Sequence, residues 1–522
     1  MKRAILYIVV LLLPALSTLP FAPVSAAAGA KIKVRHTIIA ASGGPAPAGG
    51  NYSTFSFSNA TLNARHEVAF DALVGGPPFT TGVFVGDGKT TSTIALGANP
   101  DPTAPSFGFV ANPFITPNGN IVFQANSSDI FTSDGRTIVP LVRDGDQAPG
   151  GGTVTPTPTF AVNDHGAIAY TAGVSGSTAT QGIFRTDGTE TVAIVRDDNS
   201  VPGGGRFTSL RDPVINDRGQ VAFEAEMTGG SADFGVFRGE GGELTSVFVA
   251  NQLAPGGATF EDFGRQLINR HGQVAALALL TNSASRTGLF VGDGADSVAI
   301  ALEGQPAPKG GSYIDGSGRG FTFPSPFRLN DRGEVAFDAK LTGGTSPSGI
   351  FRGNGDRTTT IALAGTTAPG TTGTFESFGD IKLGNNGRVA FIATLAVGVD
   401  GVDSSNNMGI WIGTSDEDLQ LVVRTGEVIG GNVLTRLPIS GFAFSNQFDM
   451  NENGVLWVGS FGPAKAVVFS RILGENEALG EDDNVGVALQ GKNGTRQLPE
   501  VYDSPARLTL SSVLDGGFSP AR

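Results

Sequence analysis

Nine charged residues stand where contact chemistry with a ligand is expected: Arg143 with Asp144 and Asp146, Arg196 with Asp197 and Asp198, Glu303, and Arg424 with Glu427. Each falls where an apolar run gives way to a Pro- or Gly-rich loop. Opposed charges gathered on loops from several units can grip a sugar, a cation or a peptide. These nine are therefore the candidate ligand-binding residues. The competing expectation is surface ion pairing between neighbouring units, which is worth little for each pair. Paired carboxylates for glycosidase chemistry cannot be picked from 48 acidic residues by position alone, so no catalytic residue is assigned.

Other chemistries are narrowed by residue type. The chain has no cysteine, which removes thiol nucleophiles, zinc-thiolate sites and iron-sulfur clusters. Of the four histidines, His66, His165 and His271 sit at or beside the same turn in different units, and His36 lies in an isolated N-terminal run. That separation predicts no joint metal site. Gly88-Lys89-Thr90 lacks the earlier glycine of a phosphate loop, no Gly-x-Ser-x-Gly occurs, and the Asp-Gly turns lack the alternating ligands of a calcium loop. No cofactor is expected. Trp411 and Trp457 occupy slots filled by Phe in other units, Phe237 and Phe351 or Phe223 and Phe337, and so read as core residues.

The elements that must position these residues are repeated. An Asn-x-x-Gly signal begins at Asn63, Thr116, Asn163, Asn216, Asn269, Asn330, Gly384 and Asn451, with spacings of 53, 47, 53, 53, 61, 54 and 67. Thr116 and Gly384 replace the Asn, and His66 replaces the closing Gly. The Asn side chain can bond the backbone two residues on, while the Gly accepts the left-handed conformation of a tight hairpin. The run after it, as in NDRGQVAFEAEM, alternates like a strand with one face in a core. One unit reads as strands at Arg206 to Ile215, Gln220 to Met227, Gly235 to Arg238 and Leu244 to Ala250, with a second hairpin turn such as GDG or TDG after the third strand. A Pro-Gly loop then leads to the next unit: PAPAGG, QAPGGG, SVPGGG, LAPGGA, PAPKGG and TAPGTTG. These loops lie opposite the Asn-x-x-Gly turns, near the mouth of a central channel. There they either carry a site or merely turn the chain inward.

Four short strands in each of eight units predict an all-β fold, an eight-bladed β-propeller of four-stranded antiparallel blades. A β-solenoid is the rival, but its coils are shorter and it needs caps. The ends favour a ring. The last unit stops at Ala466 to Ile472 without a fourth strand, and Val34 to Ala41 is a strand without a unit. The N-terminal strand is expected to complete the eighth blade.

Residues 1–26 read as a signal peptide: Lys2 and Arg3, an apolar run from Ala4 to Leu16, and Val24-Ser25-Ala26 before a cleavage point. The run is too short to span a bilayer, so secretion or periplasmic export without a membrane anchor is expected. The propeller is assigned to 31–473. Residues 474–522 are assigned to an acidic, partly disordered tail. Removing Lys2 and Arg3 from 35 basic residues leaves 33 against 48 acidic ones, a net charge of −15, which argues against nucleic-acid binding.

Motifs such as NDRGQVAF and NDRGEVAF resemble those of exported bacterial tandem-repeat proteins with an Asn-x-x-Gly-x-Val-Ala-Phe signature. The resemblance spans residues 31 to about 473 and implies a β-propeller and export, but no catalytic residue. The first functional expectation is a non-enzymatic, monomeric binding or scaffold protein that contacts a polysaccharide or protein through the Pro-Gly loop face. The second is a polysaccharide-active lyase or hydrolase at the channel mouth. An uneven charge cluster would favour the enzyme, and a ring of equivalent groups the binder.

Overall fold

The computed structural model describes residues 32–53, 57–75, 79–98, 107–314, 327–438, 446–474 and 477. The regular elements among them are strands, with no α-helix. Alternation of the Val-Ala-Phe type places Val221, Phe223 and Ala225 on one face of a sheet and Ala222 on the other, and all four are buried. Both faces can be buried only if another sheet covers each one, and in a propeller every blade lies between two others.

Eight sheets of antiparallel strands result, at 60–96, 110–142, 153–196, 206–249, 259–302, 312–363, 375–424 and 448–473. The expected strands of the fourth blade form at Arg206–Ile215, Val221–Thr228, Phe234–Gly239 and Thr245–Val249. The eighth blade takes its outer strand from the N-terminus. Lys33–Ala41 runs antiparallel to Ala464–Leu473, from Lys33 opposite Leu473 to Ala41 opposite Ala466. The closure expected from the two incomplete ends therefore forms.

Aromatic trios fill the spaces between blades. Phe223 stacks on Phe237 with centroids 5.8 Å apart, and Phe207 meets Phe237 edge-on at 5.4 Å. Phe391, Trp411 and Phe375 repeat the arrangement in blade 7. Trp411 and Trp457 are fully buried, as their slots predicted. The glycine two residues before the third-strand ring is required by this packing. A Cβ at Gly235 would lie 2.8 Å from Phe237, and one at Gly409 would lie 2.5 Å from Trp411.

The Asn-x-x-Gly turn proves to be more than a hairpin. Asn269 Oδ1 accepts from the backbone N–H groups of His271 and Gln273, both at 3.0 Å, which is the local role expected of it. Its Nδ2 donates to the carbonyl of Asn330 in the next blade at 3.1 Å. Asn163 donates to Asn216, Asn216 to Asn269, and Asn330 to Gly384 in the same way. Asn451 reaches Asn63 and Asn63 reaches Thr116. Thr116 and Gly384 have no amide with which to continue, so the staple is interrupted at those two blades. Thr116 keeps the local cap, its Oγ1 accepting from Asn120 N at 3.0 Å.

Asn269→Ala is therefore expected to cost about 2 kcal/mol, since it strips a buried turn of its acceptor and a neighbouring carbonyl of its donor. Asn269→Thr, copying Thr116, should recover part of that loss. Chemical denaturation of the two variants checks the ordering, and equal losses would mean that the local cap contributes nothing.

Candidate functional site in the central channel

The innermost strand of each blade lines the channel, and five of them share an irregularity. Pairing with the second strand slips between Ala111 and Phe114, Pro156 and Phe160, Arg211 and Val214, Phe263 and Gln266, and Phe378 and Ile381. Such bulges free residues from the ladder and re-aim their side chains. The freed residues include Asn112, Asp212, Arg265 and Asp380, and Asn112 and Asp212 take left-handed φ angles of 53° and 50°. Gly264 and Gly379 stand beside Arg265 and Asp380, and Pro213 beside Asp212, residue types that suit a strand interruption.

The bulges bring charges from separate blades together. Arg265 of blade 5 has an exposed side chain, yet the protein around the opening desolvates it enough to hold it below its ordinary pKa, while Asp380 of blade 7 and Asp212 of blade 4 pull it back up. Groups two blades apart can interact in this way only across the open centre of the ring. Arg328 of blade 6 is pushed down to about 10 by burial and by Arg265, against the opposing pull of Asp380 and Asp449. Lys382 of blade 7 is also lowered, by burial first, and its Nζ lies 3.5 Å from Asp449 Oδ1 and 3.2 Å from Asn446 Oδ1. Blade 4 supplies the acidic side. Arg211 Nη2 bridges Glu224 at 3.2 Å and Glu226 at 2.5 Å. Glu224 is buried, and that burial raises its carboxyl to about 7; Arg211 opposes the rise, and Asp212, Asp262 and Glu226 add to it.

A hydrogen-bonded polar chain joins blades 1, 2 and 8. Asn446 N donates to Asn59 Oδ1 at 2.8 Å, Asn59 Nδ2 to Asp71 Oδ2 at 2.8 Å, and Asn112 Nδ2 to Gln124 Oε1 at 2.7 Å. Asp71 is buried, and burial raises its pKa although Asn59, Asn112 and Ser58 all donate to it. Blade 3 places uncharged Thr157 and Thr159 in its interruption. The charge in the channel is thus uneven, with the cations Arg265, Arg328 and Lys382 on blades 5 to 7, the acids Asp212, Glu224 and Glu226 on blade 4, single carboxylates at Asp262, Asp380, Asp449 and Asp71 on blades 5, 7, 8 and 1, and uncharged groups on blades 2 and 3.

The nine residues singled out from the sequence lie at the ends of outermost strands and in the loops that follow. Most are held by neighbours in their own blade. Asp146 accepts from Arg143 N at 2.8 Å, Asp144 from Thr155 Oγ1 at 2.8 Å, Asp197 from Thr180 N at 3.0 Å, and Glu303 from Arg286 N at 2.9 Å. Arg196 is buried, donating to the carbonyls of Pro149 and Gly151 at 2.8 and 3.0 Å, with Asp198 at 3.4 Å. Arg424 donates from Nη2 to Asn406 Oδ1 at 3.1 Å, and burial raises Glu427 to about 7 although Arg424 opposes it. These contacts tie each residue to a strand end or loop and do not bring the nine together.

The Pro-Gly loops also share one construction. Their first residue bridges to the residue just after the loop, as Gln147 with Thr153 and Leu253 with Thr259, and the next side chain, Ala148 or Ala254, is buried. The hairpin at Val428–Ile429 and Asn432–Val433, which has no Pro, repeats this with Ile429 buried. The channel groups carry no repeated motif, because the first strands differ in residue type from blade to blade. The legible signal was a charge beside Gly or Pro in the middle of an otherwise regular first strand.

No curated protein matches the chain. Among solved structures it is similar to the β-propeller domain of the Trilobed protease from Pyrococcus furiosus, at 11% identity and a TM-score of 0.37 over 70% of this chain and 97% of that one. It is also similar to the Dos1 propeller, at 10% identity and a TM-score of 0.39 over 83% and 95% of the two chains. The WD40 domain of SCAP from fission yeast gives 8% identity and a TM-score of 0.37 over 84% and 94%. Residues 29–285 and 280–452 match a Family of unknown function (DUF7453), and since they make up well over half of the sequence, the chain belongs to that family.

Proposed function

We propose that the chain is an exported binding protein that takes a polar, charged ligand into the centre of its ring. One observation carries this reading: charged side chains from blades 4 to 8 converge across the channel, and Arg265 has no hydrogen bond or ion pair among the described residues. A carbohydrate or protein ligand would approach over the Pro-Gly loop face, where Leu253 is 78% exposed in one of the loops. Export rests on the N-terminal basic pair, the short apolar run and the small residues before Ala27.

A polysaccharide-active enzyme is the second reading, and the uneven charge favours it. Glu224 would hold a proton near neutrality and could serve as a general acid, with Arg211 beside it. A panel of immobilised polysaccharides distinguishes the two, with retention of the mature protein and release of new reducing ends scored separately. Retention without release is the expected result. Release that disappears in Glu224→Gln would replace the binding reading with the enzymatic one.

A further inference from the structure

Arg265 and Arg328 keep most of their donors unspent. Arg328 makes one hydrogen bond among the described residues, from Nη1 to the carbonyl of adjacent Phe327 at 2.9 Å, and Arg265 makes none. No described carboxylate lies within ion-pair distance of either guanidinium, although each group carries five N–H donors. One of the two carboxylates that act on Arg328 is already occupied. Asp449 accepts from Leu62 N at 3.1 Å and Met450 N at 2.9 Å, and it also faces Lys382.

The two guanidinium groups disfavour each other's charge, and Lys382 feels Arg328 in the same sense. Three cations gathered in one sector of the channel are costly unless something neutralises them. Asp212 and Asp380 supply part of that neutralisation from a distance. Planar guanidinium forks match the oxygens of carboxylate, phosphate or sulfate, and they bind such groups most strongly where water is partly excluded.

We propose that Arg265 and Arg328, backed by Lys382, form an oxyanion-binding site in the channel wall of blades 5 to 7. The site takes the carboxylate, phosphate or sulfate group of the ligand, and it rests on the reading that this channel binds. Acidic Asp212 and Glu224 on the adjoining blade 4, with Asp262 on blade 5, leave the ligand's remaining hydroxyl or amine groups with acceptors beside the cations. The predicted ligand is therefore anionic at one end and hydrogen-bond donating at the other, as an acidic sugar is.

Calorimetric titration of the whole mature protein with glucuronate, inorganic phosphate, inorganic sulfate and neutral glucose tests this. At least one anion should bind while glucose does not, more weakly as salt is raised, and which anion binds identifies the source of the charge. Arg265→Gln, at an exposed position, should weaken that binding about tenfold or more, and Arg265→Lys should restore part of it. Binding that is equal in wild type and Arg265→Gln, or no heat with any of the three anions at millimolar concentration, overturns the site. Retention on neutral and acidic polysaccharides alike, unchanged by Arg265→Gln, would remove the anion site and leave the binding reading standing. Anion heat that Arg265→Gln abolishes, without retention of any polysaccharide or protein, would support the anion site and remove the polymer reading alone.

Discussion

A chain lacking residues 31–41 is expected to lose its cooperative melting transition. The strand Lys33–Ala41 fills the outer position of the last blade, and its side chains serve two neighbouring cores. Val34 packs with Trp457 and Val468, while Ile39 and Ala40 pack with Tyr52, Phe70 and Val467. Each buried apolar side chain of that size is worth roughly 1–3 kcal/mol, and its removal exposes a long, apolar edge at Ala464–Leu473. The total approaches the ~5–15 kcal/mol that holds a typical domain together. Differential scanning calorimetry of the truncated mature chain checks this, with Ile39→Asp as a point variant that should lower the melting temperature in the same direction. A melting temperature unchanged by the truncation would sink the closure.

The same strand makes the eighth blade sensitive to acid. His36 is buried, its Nδ1 lies 2.8 Å from Ser470 Oγ, and Trp457 Nε1 donates to that oxygen at 2.7 Å. His36 Nε2 is buried without a hydrogen-bond partner. Burial pushes the imidazole down to about 4 from an ordinary value of 6.5. The unfolded chain therefore binds the proton first as pH falls below about 6.5, and folded-state stability declines until about pH 4. The integrated loss between neutrality and pH 4 is about 3 kcal/mol.

Glu224 and Glu427 act in the opposite sense. Their folded carboxyls are raised to about 7, so they favour the folded state on acidification. The test is therefore a difference. The stability of wild type minus that of His36→Gln, from urea melts at both pH values, should fall by about 3 kcal/mol on going from pH 7 to pH 4. A pH-independent difference would show that the ring accepts its proton without cost.

Much of the architecture was legible from one dimension because each blade needs the same local devices. Asn216 with Gly219 specifies a turn, Val221 to Met227 specify a strand, and their recurrence at about one-blade spacing specifies a ring. The incomplete last unit and the surplus first strand pointed to each other because an unpaired strand and an unpaired edge have the same remedy. The nine charged loop residues were visible as charges, but their partners were not. Whether Arg196 meets a ligand or the carbonyls of Pro149 and Gly151 depends on where a loop 45 residues earlier comes to rest.

The sequence by itself determined the blade, the number of blades and the way the ring closes, since turn chemistry and period-2 alternation act between residues close along the chain. Tertiary structure alone decided that Asn269 reaches across to Asn330, and that Asp212 and Asp380 both act on Arg265 at one opening. Those encounters join residues 53 to 115 positions apart, and they exist because closing the ring turns eight separate inner strands into one wall. A bulge that looks like a minor irregularity in one strand then becomes, repeated around the axis, the feature that aims charge into the channel.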